Sequence, residues 1–231
     1  MSRPKAYIFD VFGTLVDWRN SVAREVSSCF ADRPQTLDGI AFADAWRGHY
    51  QPAMETIRSG QRGYTALDQL HLENLEKTLS DFGLDDALSD AEKRALNTAW
   101  EKLDPWPDVV SGLATLKGKA IIAPCSNGSI ALMTRLAKYA DLPWDCVLGA
   151  DIAKAYKPDP AVYHACASAL RLQPDEVMMV AAHNSDLVAA RACGLKTAFV
   201  ARPTEYGEEQ TADLHAEEDW DRIVSRIGDL A

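Results

Sequence analysis

The chain has 231 residues, 47% of them apolar, and a formal net charge of −10. That length and apolar content suit one sizeable α/β domain with an elaboration, or two small domains, and exclude a globally disordered chain. The acid excess argues against a nucleic-acid or anionic-membrane surface, which needs a basic patch, but not against a small anionic substrate in a locally basic pocket.

Met1–Lys5 leads straight into an apolar run. No signal-peptide h-region precedes it, and no apolar stretch is long enough to span a bilayer. The five cysteines (Cys29, Cys125, Cys146, Cys166 and Cys193) lack metal-like spacing, and their odd count suggests reduced thiols in a cytoplasm. Ala6–Phe9 reads as a buried parallel strand. Asp10 closes it and opens the segment Asp10-Val11-Phe12-Gly13-Thr14-Leu15-Val16-Asp17. A carboxylate at a strand end, followed by a Gly turn, stands where α/β sheets bind ligands.

The gap before the next strand is several times the roughly dozen residues that a parallel crossover needs. It holds helix-like pieces at Val22–Ala31, Leu37–Ile57, Tyr64–Phe82 and Asp90–Leu103. Trp46, Tyr50, Met54 and Ile57 recur at helical spacing, and Pro52 among them is expected to kink or split that helix. A structureless loop of this length is implausible in a compact domain. The segment reads instead as a helical cap over the strand ends, placed to exclude water. Asp104-Pro105-Trp106-Pro107 marks the return. The expected division is residues 1–15 and 104–231 as the core and 16–103 as the cap.

The remaining strands are read at Ala120–Ala123, Val177–Ala181 and Thr197–Val200, with a weaker one at Cys146–Gly149. Ile130–Tyr139 is a helical pattern; Asp159-Pro160 is a good helix start; Asn184–Cys193 is a short helix ended by Gly194. The fold class is therefore α/β, a Rossmann-like doubly wound parallel sheet with an inserted helical cap. Such a sheet brings four polar positions to one carboxyl edge: Asp10, Ser126-Asn127-Gly128, Lys157, and His183-Asn184-Ser185-Asp186. Carboxylate, hydroxyl or amide, amine and acid together make a nucleophilic site. Each also has a plainer role: Asp10 as a turn former, Ser126 and Asn127 as caps of the helix near Gly128, Lys157 in a solvated loop, Arg47 in a surface ion pair.

Taken together, Asp10-Val11-Phe12-Gly13-Thr14, Ser126-Asn127-Gly128, Lys157-Pro158-Asp159 and the acidic segment ending at Asp186 resemble the haloacid dehalogenase superfamily over essentially the whole chain. Trp18, Trp46-Arg47 and the run from Lys157 to Tyr163 resemble its (S)-2-haloacid dehalogenase branch, type II. Phosphatases of that superfamily place a second Asp two residues after the nucleophile; here Phe12 stands there and cannot supply a proton. Halide leaves carbon as an anion and needs no proton, only an oriented carboxylate, an apolar pocket and donors for the halide. Trp18 either adds to that apolar wall or belongs to the core.

The resemblance implies hydrolysis of a small anionic 2-haloacid, of S (L) configuration, without cofactor or metal. Asp10 attacks C2 from the back side and forms an ester; water then attacks the Asp10 carbonyl carbon and releases a 2-hydroxy acid. Lys157 keeps Asp10 ionised, Thr14 positions it, and Tyr163 supports Lys157 or the wall. Val11 and Phe12 border the substrate, Ser126 and nearby N–H groups hold its carboxylate, and Arg47 and Asn127 meet the halide. A homodimer is also implied.

One stretch departs from the family pattern. Ala181-Ala182-His183-Asn184-Ser185-Asp186 lacks two expected hydroxyls and a bulky aromatic, and His183 stands where Asn is expected. His is well matched to deprotonating water near neutral pH. His183 is thus the expected general base, alone or shared with Asp186, unless it merely replaces the Asn hydrogen bond. Asp17 and Glu25 are candidates for the acid that fixes its tautomer. A phosphomonoesterase using Asp10 and Mg²⁺, and a non-catalytic binding protein, are the alternatives.

Overall fold

A computed structural model describes residues 3–231. The first strand, β1 (Ala6–Phe9), is apolar throughout and covered on both faces, as a central parallel strand must be. After it come β2 (Val16–Asp17) and five helices: α1 (Trp18–Phe30), α2 (Gly39–Gly48), α3 (Tyr50–Arg58), α4 (Leu67–Asp81) and α5 (Asp90–Asn97). A 3₁₀ turn at Thr98–Glu101 leads to β3 (Asp104–Pro105), which pairs antiparallel with β2. The chain continues through α6 (Val109–Lys117), β4 (Ile121–Ser126), α7 (Ile130–Tyr139), β5 (Leu148–Gly149), α8 (Ala150–Ala153) and α9 (Pro160–Ala169). It ends with β6 (Val177–Ala181), α10 (Asn184–Ala192), β7 (Lys196–Val200) and β8 (Arg222–Val224).

The main sheet has the order β5-β4-β1-β6-β7-β8, and every pair in it is parallel. Ala6 pairs with Ile121 on one side and Val177 on the other, so β1 is central and the winding reverses around it. Alternate side chains feed opposite faces. Tyr7, Phe9, Met178, Val180, Ala198 and Val200 join a core that runs on into the helices α1–α5. Ala6, Ile8, Val177, Met179, Ala181 and Phe199 join a second core under α9 and α10. The doubly wound α/β core is thus as expected.

The strands Ala6–Phe9 and Val177–Ala181 stand at the bounds read from sequence, whereas β4 runs on to Ser126. Three differences have physical causes. The expected Leu37–Ile57 helix is two helices that break at His49, after Gly48, and not at Pro52. Pro52 lies in the first turn of α3, where an N–H has no intrahelical partner to lose. α7 is capped by Ser129, whose Oγ accepts from Leu132 N at 3.0 Å; Ser126 and Asn127 do not cap it. Finally, β8 is short and mostly exposed, which leaves little apolar signal to read. Asp159 does cap α9, accepting from Ala161 N at 2.8 Å, with Pro160 at the first helical position. Among the described residues, no helix is long and apolar enough to cross a membrane.

Candidate active site

Asp10 leaves β1 with its N–H bonded to Val180 O of β6 at 3.0 Å, which fixes its backbone at the carboxyl edge. The chain then turns tightly, with Leu15 N and Val16 N both donating to Val11 O. Gly13 has φ +82°, and a Cβ there would lie 2.0 Å from Glu205 Oε1, so both conformation and space require glycine. The turn aims Thr14 back at Asp10: its hydroxyl donates to Asp10 Oδ2 at 2.7 Å and accepts from Ala182 N at 2.9 Å. Arg202 secures the same turn from outside, donating from Nε to Thr14 O while its guanidinium grips Asp108.

Lys157 enters from the loop after α8. Its N–H donates to Asn127 Oδ1 at 2.8 Å, which ties it to the loop after β4. Its ammonium donates to Asp10 Oδ1 at 2.8 Å and to Asp186 Oδ2. The other oxygen of Asp186 accepts from Tyr163 OH. Tyr163 therefore reaches Lys157 through Asp186, and burial beside that carboxylate raises its phenol far above the ordinary range. Asp186, in the first turn of α10, is held on both oxygens. His183 precedes α10 and closes the set, with Nδ1 3.0 Å from Asp10 Oδ2.

These contacts set the charges. Burial alone would raise the Asp10 pKa, but Lys157 and His183 overcome it and hold Asp10 far below its ordinary 3.8. Burial likewise opposes a charged Lys157, and the Asp10 and Asp186 carboxylates outweigh it. For His183, burial lowers the pKa, yet Glu205 and Asp10 together raise it well above 6.5.

A cavity of about 280 Å³ opens onto this cluster. Asp10, Phe12, Arg47, Asn127, Lys157, Tyr163, His183 and Asp186 line it, together with Tyr50, Ser185 and Tyr206. Arg47 reaches it from α2 with its guanidinium 3.9 Å from the Tyr50 ring centre and 5.7 Å from that of Phe12. Its Nη1 is buried and has no hydrogen-bond partner. Asn127 spends its carbonyl on Lys157 N, so its remaining polar end is a donor. Three expected site residues do not reach the wall. Thr14 and Val11 lie behind Asp10, and Ser126 is fully buried with its Oγ accepting from Gly128 N at 3.0 Å.

Neither Asp17 nor Glu25 is the acid beside His183. Asp17 caps α1 through Asn20 N, and Glu25 pairs with Lys102 at 2.9 Å. The partner is Glu205, whose Oε2 lies 2.9 Å from His183 Nε2. Glu205 is 1% exposed, and its other oxygen accepts from Trp18 Nε1 at 3.0 Å. Sequence reading missed it because it belongs to no motif. A signal existed: it follows β7 at the same carboxyl edge that carries the other site residues.

The model of the haloacid dehalogenase-like hydrolase family matches residues 4–194. (S)-2-haloacid dehalogenase 4A of Burkholderia cepacia is 31% identical over 208 residues, covering 87% of this chain and 86% of that protein. The solved structure of the defluorinating L-2-haloacid dehalogenase Rha0230 superposes with TM-score 0.97 at 46% identity, over 99% of this chain and 97% of that one. L-2-haloacid dehalogenase from Xanthobacter autotrophicus, solved with chloropropionic acid covalently bound, superposes with TM-score 0.81 at 26% identity, over 98% and 96%. With a sheet edge that gathers Asp10, Lys157 and Asp186 and a match along most of its length, the chain belongs to the haloacid dehalogenase-like hydrolase family.

Proposed function

We propose that this protein hydrolyses short (S)-2-haloalkanoic acids to 2-hydroxy acids through an ester on Asp10. One observation carries most weight. Asp10 is a buried, ionised carboxylate held on both oxygens, and Phe12 and Arg47 share its cavity. Such a group is desolvated, oriented and unprotonated, as displacement at carbon requires. Phe12 supplies the apolar wall and has no proton to give a leaving alcohol.

Asp10 attacks C2 from the side opposite the halogen; the C–halogen bond breaks and the halide departs with the bonding pair. Arg47 Nη1, lacking a partner of its own, and the Asn127 amide receive that charge. The substrate carboxylate lies beside Asn127, the member of the 126–128 loop that lines the cavity. Water then adds to the Asp10 carbonyl carbon with His183 as the base. Lys157, braced by Asp186 and Tyr163, keeps Asp10 ionised and aimed. Its ammonium bridges the two carboxylates that could otherwise serve a divalent cation, which favours metal-free chemistry. Residues 16–103 serve as the cap, contributing Arg47 and Tyr50 to the cavity. A cytoplasmic location suits the free cysteines, and sedimentation tests the expected homodimer.

Halide release from S-2-chloropropionate without metal, measured beside p-nitrophenyl phosphate hydrolysis with Mg²⁺, tests the proposal. Halide release that vanishes in Asp10→Asn supports it; metal-dependent phosphate release instead makes the protein a phosphomonoesterase. In heavy-oxygen water under single turnover, label enters Asp10. Label confined to the product contradicts the ester route. Fluoroacetate belongs in the same assay, because the neighbour at 46% identity is described as defluorinating.

A further inference from the structure

We propose that Glu205 is the positioning residue for His183, and that alkylation of Asp10 itself turns His183 from a proton donor into the general base. It rests on the haloacid dehalogenase activity proposed above.

The geometry leaves little choice of tautomer. Nδ1 of His183 faces Asp10 Oδ2 and Nε2 faces Glu205 Oε2, at 3.0 and 2.9 Å. Both partners are carboxylate oxygens, so both ring nitrogens donate and the ring is an imidazolium. In that state His183 orients the nucleophile but has no lone pair for water. Asp186 is no better placed, because Lys157 and Tyr163 occupy both of its oxygens. Water activation therefore needs a change at His183, and the first chemical step provides one.

When Asp10 attacks C2, its carboxylate becomes a neutral ester and half of the charge that held the imidazolium disappears. His183 then gives its Nδ1 proton to solvent, the one proton that accompanies halide in the net reaction. Glu205 keeps the remaining proton on Nε2, so the Nδ1 lone pair faces the ester. A water hydrogen-bonded to Nδ1 beside the ester passes a proton to it while the water oxygen bonds to Asp10 Cγ. Collapse breaks the bond from Cγ to the substrate oxygen, which takes that proton and leaves as the 2-hydroxy acid. The proton left on the Asp10 carboxyl passes to Nδ1, and the imidazolium–carboxylate pair is restored.

Glu205 is built for this role. Trp18 Nε1 fixes its second oxygen, it is almost wholly buried, and Gly13 leaves the room it occupies. The other charged or titratable groups around His183 are Tyr206 beside Glu205, Arg47 within Coulomb range of both Glu205 and Asp10, Lys157 across Asp10, and Asp213 on the cavity wall. None of them contacts a ring nitrogen in place of Glu205.

The test separates the two chemical steps with S-2-chloropropionate in Glu205→Gln. Rapid-quench halide release should show a burst of one halide per site at a rate within about threefold of wild type. Steady-state kcat should fall by about a hundredfold or more, the usual range for losing a general base. The alkylated enzyme should accumulate by intact mass, and the acid limb of the kcat–pH profile should move to lower pH. Burst amplitude counts folded, competent sites, so poor folding does not mimic the result. Glu205→Asp, which keeps the charge, should recover part of kcat, and Glu205→Gln combined with His183→Asn should be no slower than His183→Asn alone. Wild-type ester hydrolysis and an unmoved pH limb in Glu205→Gln overturn the proposal, as does a burst slowed as much as kcat. Absence of halide release in the wild-type enzyme counts against the dehalogenase activity itself.

Discussion

Asp10, the nucleophile proposed above, keeps its charge because its neighbours offset the cost of burying it. Lys157, Thr14 and His183 each hold one of its oxygens, so the carboxylate stays ionised in a cavity whose wall is partly aromatic. Lys157 is the central group, since it alone stands between Asp10 and Asp186. In Lys157→Met the two carboxylates face each other with no cation between them, and their repulsion opposes the ionised form of Asp10. The halide burst should fall by about a hundredfold or more, and its acid limb should move to higher pH; rapid-quench halide assay measures both. Asp10→Asn should abolish the burst altogether. Asp10, Phe12 and Lys157 were legible in the sequence because each sits in a short local pattern. Glu205 was not, because it meets His183 22 positions away and Trp18 187 positions away through the fold.

At the scale of elements, the break between α2 and α3 shapes the cavity. Arg47 lies in the last turn of α2 and Tyr50 begins α3 after the break, so the guanidinium lies on the Tyr50 ring. Pro52 follows the break and does not cause it. Pro52→Ala should therefore change thermal stability by less than about 1 kcal/mol, because no helix-interior hydrogen bond is at stake. A drop of several kcal/mol would show that the fixed φ of Pro52 sets the angle. Elsewhere in the same segment, Ser89 and Glu92 form a reciprocal cap on α5. Ser89→Ala should cost about 1 kcal/mol in denaturant unfolding and leave kcat unchanged, since α5 supplies no side chain to the cavity. The apolar strands and the Asp159-Pro160 start were readable at this scale, because burial and capping write themselves locally. The α2–α3 break was not, because Trp46, Tyr50 and Met54 keep helical spacing across it and are all buried.

For the whole molecule, the site should leave a mark on the pH dependence of stability. Asp10 titrates below its ordinary 3.8 in the folded protein, so its contribution is present above about pH 4 and is lost as pH falls below that. His183 titrates above its ordinary 6.5, so its contribution is complete below about pH 6.5 and is lost as pH rises through its folded value. Melting temperature should thus be highest between about pH 4 and 6.5. Asp10→Asn should flatten the acid decline and His183→Asn the alkaline one, in scans across pH 3 to about 9. Unchanged slopes in both variants would place the stabilising charges elsewhere.

The sequence by itself determined the parallel strands, the long helical segment after the first of them, and the gathering of Asp10, Lys157 and Asp186 at one sheet edge. Those features follow from local periodicity, strand ends and chain order, which need no coordinates. The tertiary structure alone decided which acid meets His183, that both oxygens of Asp186 are occupied, that Ser126 lies off the cavity wall, and where α2 gives way to α3. Each of these depends on side chains brought together from distant parts of the chain, and composition and spacing carry no record of such contacts.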